Sequence, residues 1–184
     1  MEHKLSCDLL WIDLEMTGLN AQTDAIIEIA VIATDFQLTT IVEGPSLTIH
    51  QPESVLATMN DWVKETHGKS GLIDAVRAST ITVAEAEAQV VQFAQQTCNL
   101  KKFLFAGNTV YQDRTFLIRY MPTLNSLAHY RLLDVSTIKE LVRAWYPTKA
   151  EPAGKKTSAH RAQADILESI QELRNYREQF FVRA

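Results

Sequence analysis

The stretch Trp11-Ile12-Asp13-Leu14-Glu15-Met16-Thr17-Gly18-Leu19 decides how this chain is read. With Leu9 and Leu10 before it, LLWIDLE is a run of large apolar residues broken only by two carboxylates, and Thr17-Gly18 closes it with a turn signal. That pattern predicts a central strand. Side chains on a strand alternate between faces, so Asp13 and Glu15 share one face, a single pleat period apart. A lone Asp-x-Glu at a strand end most often just points to water. Here the neighbours Trp11, Ile12 and Leu14 predict burial, and two ionised carboxylates beside a core are costly unless a cation compensates them. A divalent metal is the natural compensator, and an all-oxygen donor set suits Mg²⁺ or Mn²⁺ better than zinc.

Working outward, IIEIAVIATD (26–35) and TTIVEGPSLTIHQ (39–51) are β-rich and predict an antiparallel meander with the first strand. Val55, Leu56, Met59, Trp62 and Val63 recur at helical spacing, predicting a helix from Ser54 to about His67. Thr82 and Glu85 form a capping-box signature for a second helix to about Thr97. Phe103 to Ala106 reads as a buried strand, Gly107-Asn108 as a turn, and Tyr111, Phe116, Leu117 and Tyr120 as a helix closed by Pro122. Arg131 to Asp134 predicts a further strand, and Ser136 caps a helix to about Trp145. The polar segment YPTKAEPAGKKT (146–157) reads as a mobile loop. Ser158 opens a last amphipathic helix carrying Ile166, Ile170 and Leu173. The order describes an α/β fold, a mixed central β-sheet flanked by helices, in one domain spanning 1–184.

Composition narrows the function. A chain of 184 residues, 46% hydrophobic and 22% charged, is large enough for one buried core. No apolar run approaches the roughly 20 residues of a membrane span, and MEHKLSCDLLWID lacks a secretory cleavage pattern, which predicts a soluble, cytoplasmic protein with no membrane partner. Cys7 and Cys98 fit no metal or redox spacing and read as packed, reduced thiols. A net charge of −4 without a Lys/Arg cluster argues against binding a long nucleic acid tract, so a nucleic acid ligand would be short or held by metal at one end.

More carboxylates are needed to complete a metal site. Asp113 follows the strand and turn FLFAGN, where the chain can bring it beside the end of a parallel strand. In isolation it is an ordinary first-turn aspartate favoured by the helix dipole. Asp165, among Ala162, Ala164, Ile166 and Leu167, is by itself a helix carboxylate of undetermined face. His160 lies five residues earlier, about 140 degrees away on a continuous helix. Both reach one site only if His160 sits at the frayed helix start or on the loop before it; alone it reads as a surface or capping histidine.

Taken together, Asp13-x-Glu15 with Thr17-Gly18, Asp113 in GNTVYQDRTF, and His160 with Asp165 in HRAQAD resemble the three motifs of the histidine-containing DEDD exonucleases. IIEIA, MNDWVKETH, AHYRLLDVSTIKEL and ESIQEL extend the likeness, to the oligoribonuclease family, over nearly the whole chain. The resemblance implies a ribonuclease H-like exonuclease fold and 3'-to-5' hydrolysis of very short RNA, dinucleotides included, as the last step of RNA turnover. It further implies two Mg²⁺ or Mn²⁺ ions held by Asp13, Glu15, Asp113 and Asp165, with His160 as general base. Leu19 and Trp62 would flank the bases, although the helical spacing of Trp62 reads equally as core. A homodimer is implied in which Tyr130 and Arg131 reach the partner's site, Tyr130 stacking on a base and Arg131 meeting a phosphate. Thr109, Ser136 and Thr137 are weaker phosphate contacts. This chain departs from the family pattern at Tyr111, where relatives usually carry glycine, and Thr115 and Ala128 are smaller than usual. A DNA-proofreading exonuclease and a dinucleotide-binding module without turnover are the competing readings.

Overall fold

A computed structural model describes residues 6–148 and 161–182. Strands β1 (Leu9–Met16), β2 (Ile26–Thr34) and β3 (Ile41–Thr48) come first, followed by helices α1 (Glu53–Leu56), α2 (Asp61–Lys69), α3 (Leu72–Ala78) and α4 (Val83–Thr97). Then come β4 (Leu104–Gly107), α5 (Val110–Tyr120), α6 (Pro122–Leu127), β5 (Leu132–Asp134), α7 (Val135–Trp145) and α8 (Ala162–Phe180). The sheet order is β3-β2-β1-β4-β5. β1 to β3 form the expected antiparallel meander, and β4 and β5 extend β1 in parallel, so the sheet is mixed.

β1 lies at the centre because both of its faces are apolar. Leu10, Ile12 and Leu14 pack with Ala86, Val90 and Ala94 of α4 and Phe116 and Leu117 of α5. Leu9 and Trp11 pack on the other face with Ile166, Ile170 and Tyr176 of α8. Trp11 is fully buried, and its indole N–H donates to the Thr34 hydroxyl at 2.9 Å, which satisfies its one polar atom. Burying such a side chain stabilises the fold by about 3 kcal/mol. Alternation then puts Asp13 and Glu15 on the α8 side of the sheet, at its end.

Several boundaries differ from expectation. The helix foreseen over Ser54–His67 is two helices, because Asn60 is extended and its side chain accepts from the Val63 N–H, starting α2 afresh. α3 was not foreseen; it starts at Gly71, whose φ of 73° is the left-handed region glycine favours. Pro122 does end α5, and it also opens the short α6 from its first position. Ser136 does not cap α7: the Asp134 carboxylate does, accepting from the Ser136 N–H at 2.9 Å. Nor does Ser158 open α8, since Arg161 is still extended and the helix begins at Ala162. Ser158 and most of the 146–157 loop lie outside the described residues. The capping box of Thr82 and Glu85 is present as read.

Cys7 and Cys98 are buried opposite each other across a parallel bridge, and burial pushes the Cys98 thiol up to about 11. Among the described residues, no helix is long and apolar enough to cross a membrane.

Candidate active site

Three acidic side chains from two elements meet at the end of β1. Asp13 and Glu15 rise from one face of the strand, and Asp165 projects from the first turn of α8; each offers an oxygen, and these atoms lie within 4.8 Å of one another. All three are half-buried. The carboxylates repel one another, and Glu15 records the consequence. Burial above all, then the charges of Asp13, Asp165 and Glu28, push its carboxyl from 4.5 up to about 8, with Arg161 opposing them. An all-oxygen, charge-repelling set of this kind is what a hard divalent cation requires.

Asp113 reaches the same end of β1 from the opposite layer. β4 runs parallel to β1, so α5, which follows β4, starts beside the carboxyl end of β1. There Asp113 is 5% exposed, and its Oδ1 accepts from the Leu14 N–H at 2.9 Å. Burial, then the charge of Asp13, hold its carboxyl well above the usual range, against the lowering effect of the Leu14 bond. It adjoins the three-carboxylate group from behind. His160 lies outside the described residues. Arg161, the residue that follows it in sequence, is extended, and α8 starts only at Ala162.

A groove of about 440 Å³ opens beside Glu15, lined by Met16, Gly18, Leu19, Asn60, Trp62 and His67 among others. Leu19 and Trp62 stand 74% and 66% exposed at its mouth. The core reading of Trp62 is thereby corrected: Val63 and His67 hold the inward face of α2. The turn bearing Leu19 is fastened to α5, with Gln112 donating to the Leu19 carbonyl at 2.6 Å and Tyr120 to the Asp24 carbonyl at 2.7 Å. The Asp24 carboxylate closes the turn from inside, accepting from the Asn20 N–H. A Cβ on Gly18 would meet that carboxylate at 2.5 Å. Gly18→Ala is therefore expected to destabilise the protein by about 1–3 kcal/mol, read as a lower melting temperature, together with a raised KM because Leu19 moves.

His67 was not singled out from the sequence. It is buried, with Nε2 donating to the Met16 carbonyl at 3.3 Å and lying 3.8 Å from Glu15 Oε2. Its spacing four residues after Val63 marks it only as an inward-facing helix position; the fold alone brings it to Glu15. Thr109 and Ser136 do not line this groove. Thr109 has a left-handed φ of 57°, held by its N–H donating to Asp134, and its hydroxyl lies 3.1 Å from that of Ser136. Ser136 donates to Asn108, which donates to Ser169 and Glu172 of α8, while Ser169 donates to the Asp165 carbonyl. This chain of bonds ties the turn before α5 to the helix carrying Asp165. Tyr130 is 71% exposed, with the Arg131 guanidinium over its ring at 5.3 Å. Tyr111 is exposed on the first turn of α5.

The RNase_T exonuclease family matches residues 10–173. An oligoribonuclease from Azoarcus sp. is 55% identical over 172 residues, covering 94% of each chain. The chain belongs to the oligoribonuclease family. A mitochondrial oligoribonuclease of Homo sapiens is 50% identical over 94% of this chain and 73% of its own. Membership makes the chain an exonuclease, a hydrolase of phosphodiester bonds, in a family that depends on divalent metal. In fold it is similar to exonuclease I from Methylocaldum szegediense, with a TM-score of 0.69 at 19% identity over 95% of this chain. It spans 41% of that protein's length. S. pombe Pop2p, in a form with Mg²⁺ and Mn²⁺ bound, is similar at a TM-score of 0.67 and 11% identity over 95% of this chain and 84% of its own. The mixed sheet flanked by helices is thus the ribonuclease H-like exonuclease fold expected from the sequence.

Proposed function

We propose that this chain, as one exonuclease domain, removes nucleotides 3'-to-5' from very short RNA in the cytoplasm, dinucleotides included, and releases 5'-mononucleotides. The observation that carries the reading is the convergence of Asp13, Glu15 and Asp165 within 4.8 Å at the end of a groove flanked by Leu19 and Trp62. These three carboxylates, with Asp113 beside them, would hold two divalent ions, Mg²⁺ or Mn²⁺. When bound, such ions acidify water and stabilise charge on the attacking and leaving oxygens of an in-line displacement at phosphorus.

The chain's own residues do the rest. Asp113 fixes the end of β1 through the Leu14 amide, which holds Asp13 and Glu15 in register. Leu19 and Trp62 grip a base and set the reacting phosphate against the carboxylates. His160, next to the start of α8, takes the proton of the attacking water, a task suited to a group titrating near neutral pH. The groove holds about 440 Å³ and the net charge is −4, which favours a ligand with few phosphates over a long strand. A homodimer would add Tyr130 and Arg131 of the second copy to the pocket, and Thr109 and Ser136 would contact phosphate only at its margin.

The test is a time course with a 5'-labelled RNA dinucleotide, its DNA counterpart and a longer RNA, each with Mg²⁺, Mn²⁺ or chelator. Metal-dependent cleavage fastest on the RNA dinucleotide is expected. Equal rates on DNA would remove the RNA preference, faster cleavage of the long strand would remove the short-substrate reading, and tight binding without cleavage would make the chain a binding module. Trp62→Ala is expected to raise KM for the dinucleotide about tenfold with kcat little changed, since a lost base–aromatic stack weakens ground state and transition state alike. An unchanged KM would take Trp62 out of the base grip.

A further inference from the structure

A fifth acidic residue, Glu28, adjoins the carboxylate group without belonging to it. Glu28 is the register partner of Glu15 across β1 and β2, so both side chains rise from the same face of the sheet. It is 1% exposed. Both of its oxygens are engaged. Oε1 accepts from Nε and a terminal nitrogen of Arg161, at 2.9 and 2.7 Å, and Oε2 accepts from the Ala162 N–H at 3.1 Å.

Ala162 is the first residue of α8, and its N–H is one of the helix-start donors that find no acceptor within the helix. The N-cap residue, Arg161, supplies no side-chain cap. Glu28 performs that task from a neighbouring strand, neutralising the Arg161 guanidinium and placing negative charge at the positive end of the helix. Asp165 follows within the first turn, and its own N–H bonds back to the Arg161 carbonyl at 3.2 Å. A slip of one residue would rotate Asp165 by about 100° about the axis of α8 and carry it away from β1.

We propose that Glu28 is a positioning residue of the metal centre: its clamp on Arg161 and the Ala162 amide sets the depth and rotation at which α8 presents Asp165 to Asp13 and Glu15. The inference rests on the metal reading of those three carboxylates. A purely structural role fits the surroundings poorly, because a buried ion pair is often no more stable than apolar packing of the same volume, and Glu28 adds repulsion to a site that already strains Glu15. A ligand role fits poorly as well, because neither oxygen is left without a donor.

The experiment is a calorimetric Mn²⁺ titration of the full chain without substrate, run beside kcat and KM on a dinucleotide and melting curves. The variants are Glu28→Gln, Arg161→Gln, Arg161→Lys and the double Glu28→Gln/Arg161→Gln. Folded variants are expected to bind Mn²⁺ roughly tenfold more weakly, the usual cost of losing a partner that orients a ligand. kcat should fall while KM stays near that of the parent, Arg161→Lys should recover part of the loss seen in Arg161→Gln, and the double should be no weaker than the worse single because one clamp is removed in each. Parent-like Mn²⁺ affinity in a folded variant would overturn the proposal. So would tighter binding in Arg161→Gln, which would make the released Glu28 a ligand. If a single variant fails to fold, the double decides, since it strands no buried charge. An unmodified chain that binds no Mn²⁺ would remove the metal reading itself, whereas unchanged affinity among the variants removes this inference alone.

Discussion

Asp13→Asn is expected to lower turnover by roughly 10³-fold or more while leaving the metal-free protein as stable as the parent, or more so. The two effects have one cause. In the folded chain Asp13, Glu15 and Asp165 repel one another at the end of β1, and that repulsion is part of what lifts the Glu15 carboxyl to about 8. Replacing one charge by an isosteric amide relieves the repulsion and removes a donor that a divalent ion needs, so stability and activity move in opposite directions. Asp165→Asn should behave the same way. Asp113→Ala should also abolish turnover, but with a stability cost, because the Leu14 N–H loses its buried acceptor. Activity assays beside melting curves in chelator check both halves, and near-parental turnover in any of the three would remove that residue from its role.

Metal-free protein is expected to lose stability as the pH rises, with Mn²⁺ reversing the trend. Glu15 has its carboxyl raised from 4.5 to about 8, so between those values the folded state holds a proton that the unfolded chain has released. Stability therefore falls through that window: the contribution is fully present below 4.5 and is lost by the time the pH passes the folded value near 8. Asp113, raised mainly by burial, acts in the same direction. A divalent ion binds the ionised form, so it displaces the Glu15 proton, and its apparent affinity should climb by about tenfold per pH unit below 8 for each proton displaced. Melting temperatures in chelator at pH 5, 6.5 and 8, compared with Glu15→Gln, isolate the effect. The downward slope should flatten in the variant, and equal slopes in the two proteins would contradict the burial and repulsion inferred at Glu15.

Both expectations start from WIDLE, and much of the site was legible there. Strand alternation alone placed Asp13 and Glu15 together, because a pleat leaves no other arrangement for positions two apart. The apolar residues around them showed that the pair would be partly buried and in need of a cation. The capping box at Thr82 and the meander of β1 to β3 were readable for the same reason, since each depends on contacts a few residues apart or on turn chemistry. Local signals failed where two of them competed for the same boundary. Asn60 splits a helix whose apolar spacing runs on unbroken, and Asp134 takes the cap that Ser136 alone would have claimed.

By itself, then, the sequence determined the strand and the face its two carboxylates share, and its motifs pointed to a metal-dependent exonuclease. The tertiary structure decided which layer each remaining carboxylate comes from. Asp113 arrives through the parallel pairing of β4 with β1, and Asp165 through the docking of α8 on the opposite face. It also decided that Glu28, to the eye one more polar residue in an apolar strand, has both oxygens engaged at the start of α8, and that His67, an inward helix position, stands beside Glu15. Such contacts span from about fifty to more than a hundred residues of chain, a separation at which hydrophobic period and turn preference carry no information; only the packing of the two layers onto one sheet brings the groups together.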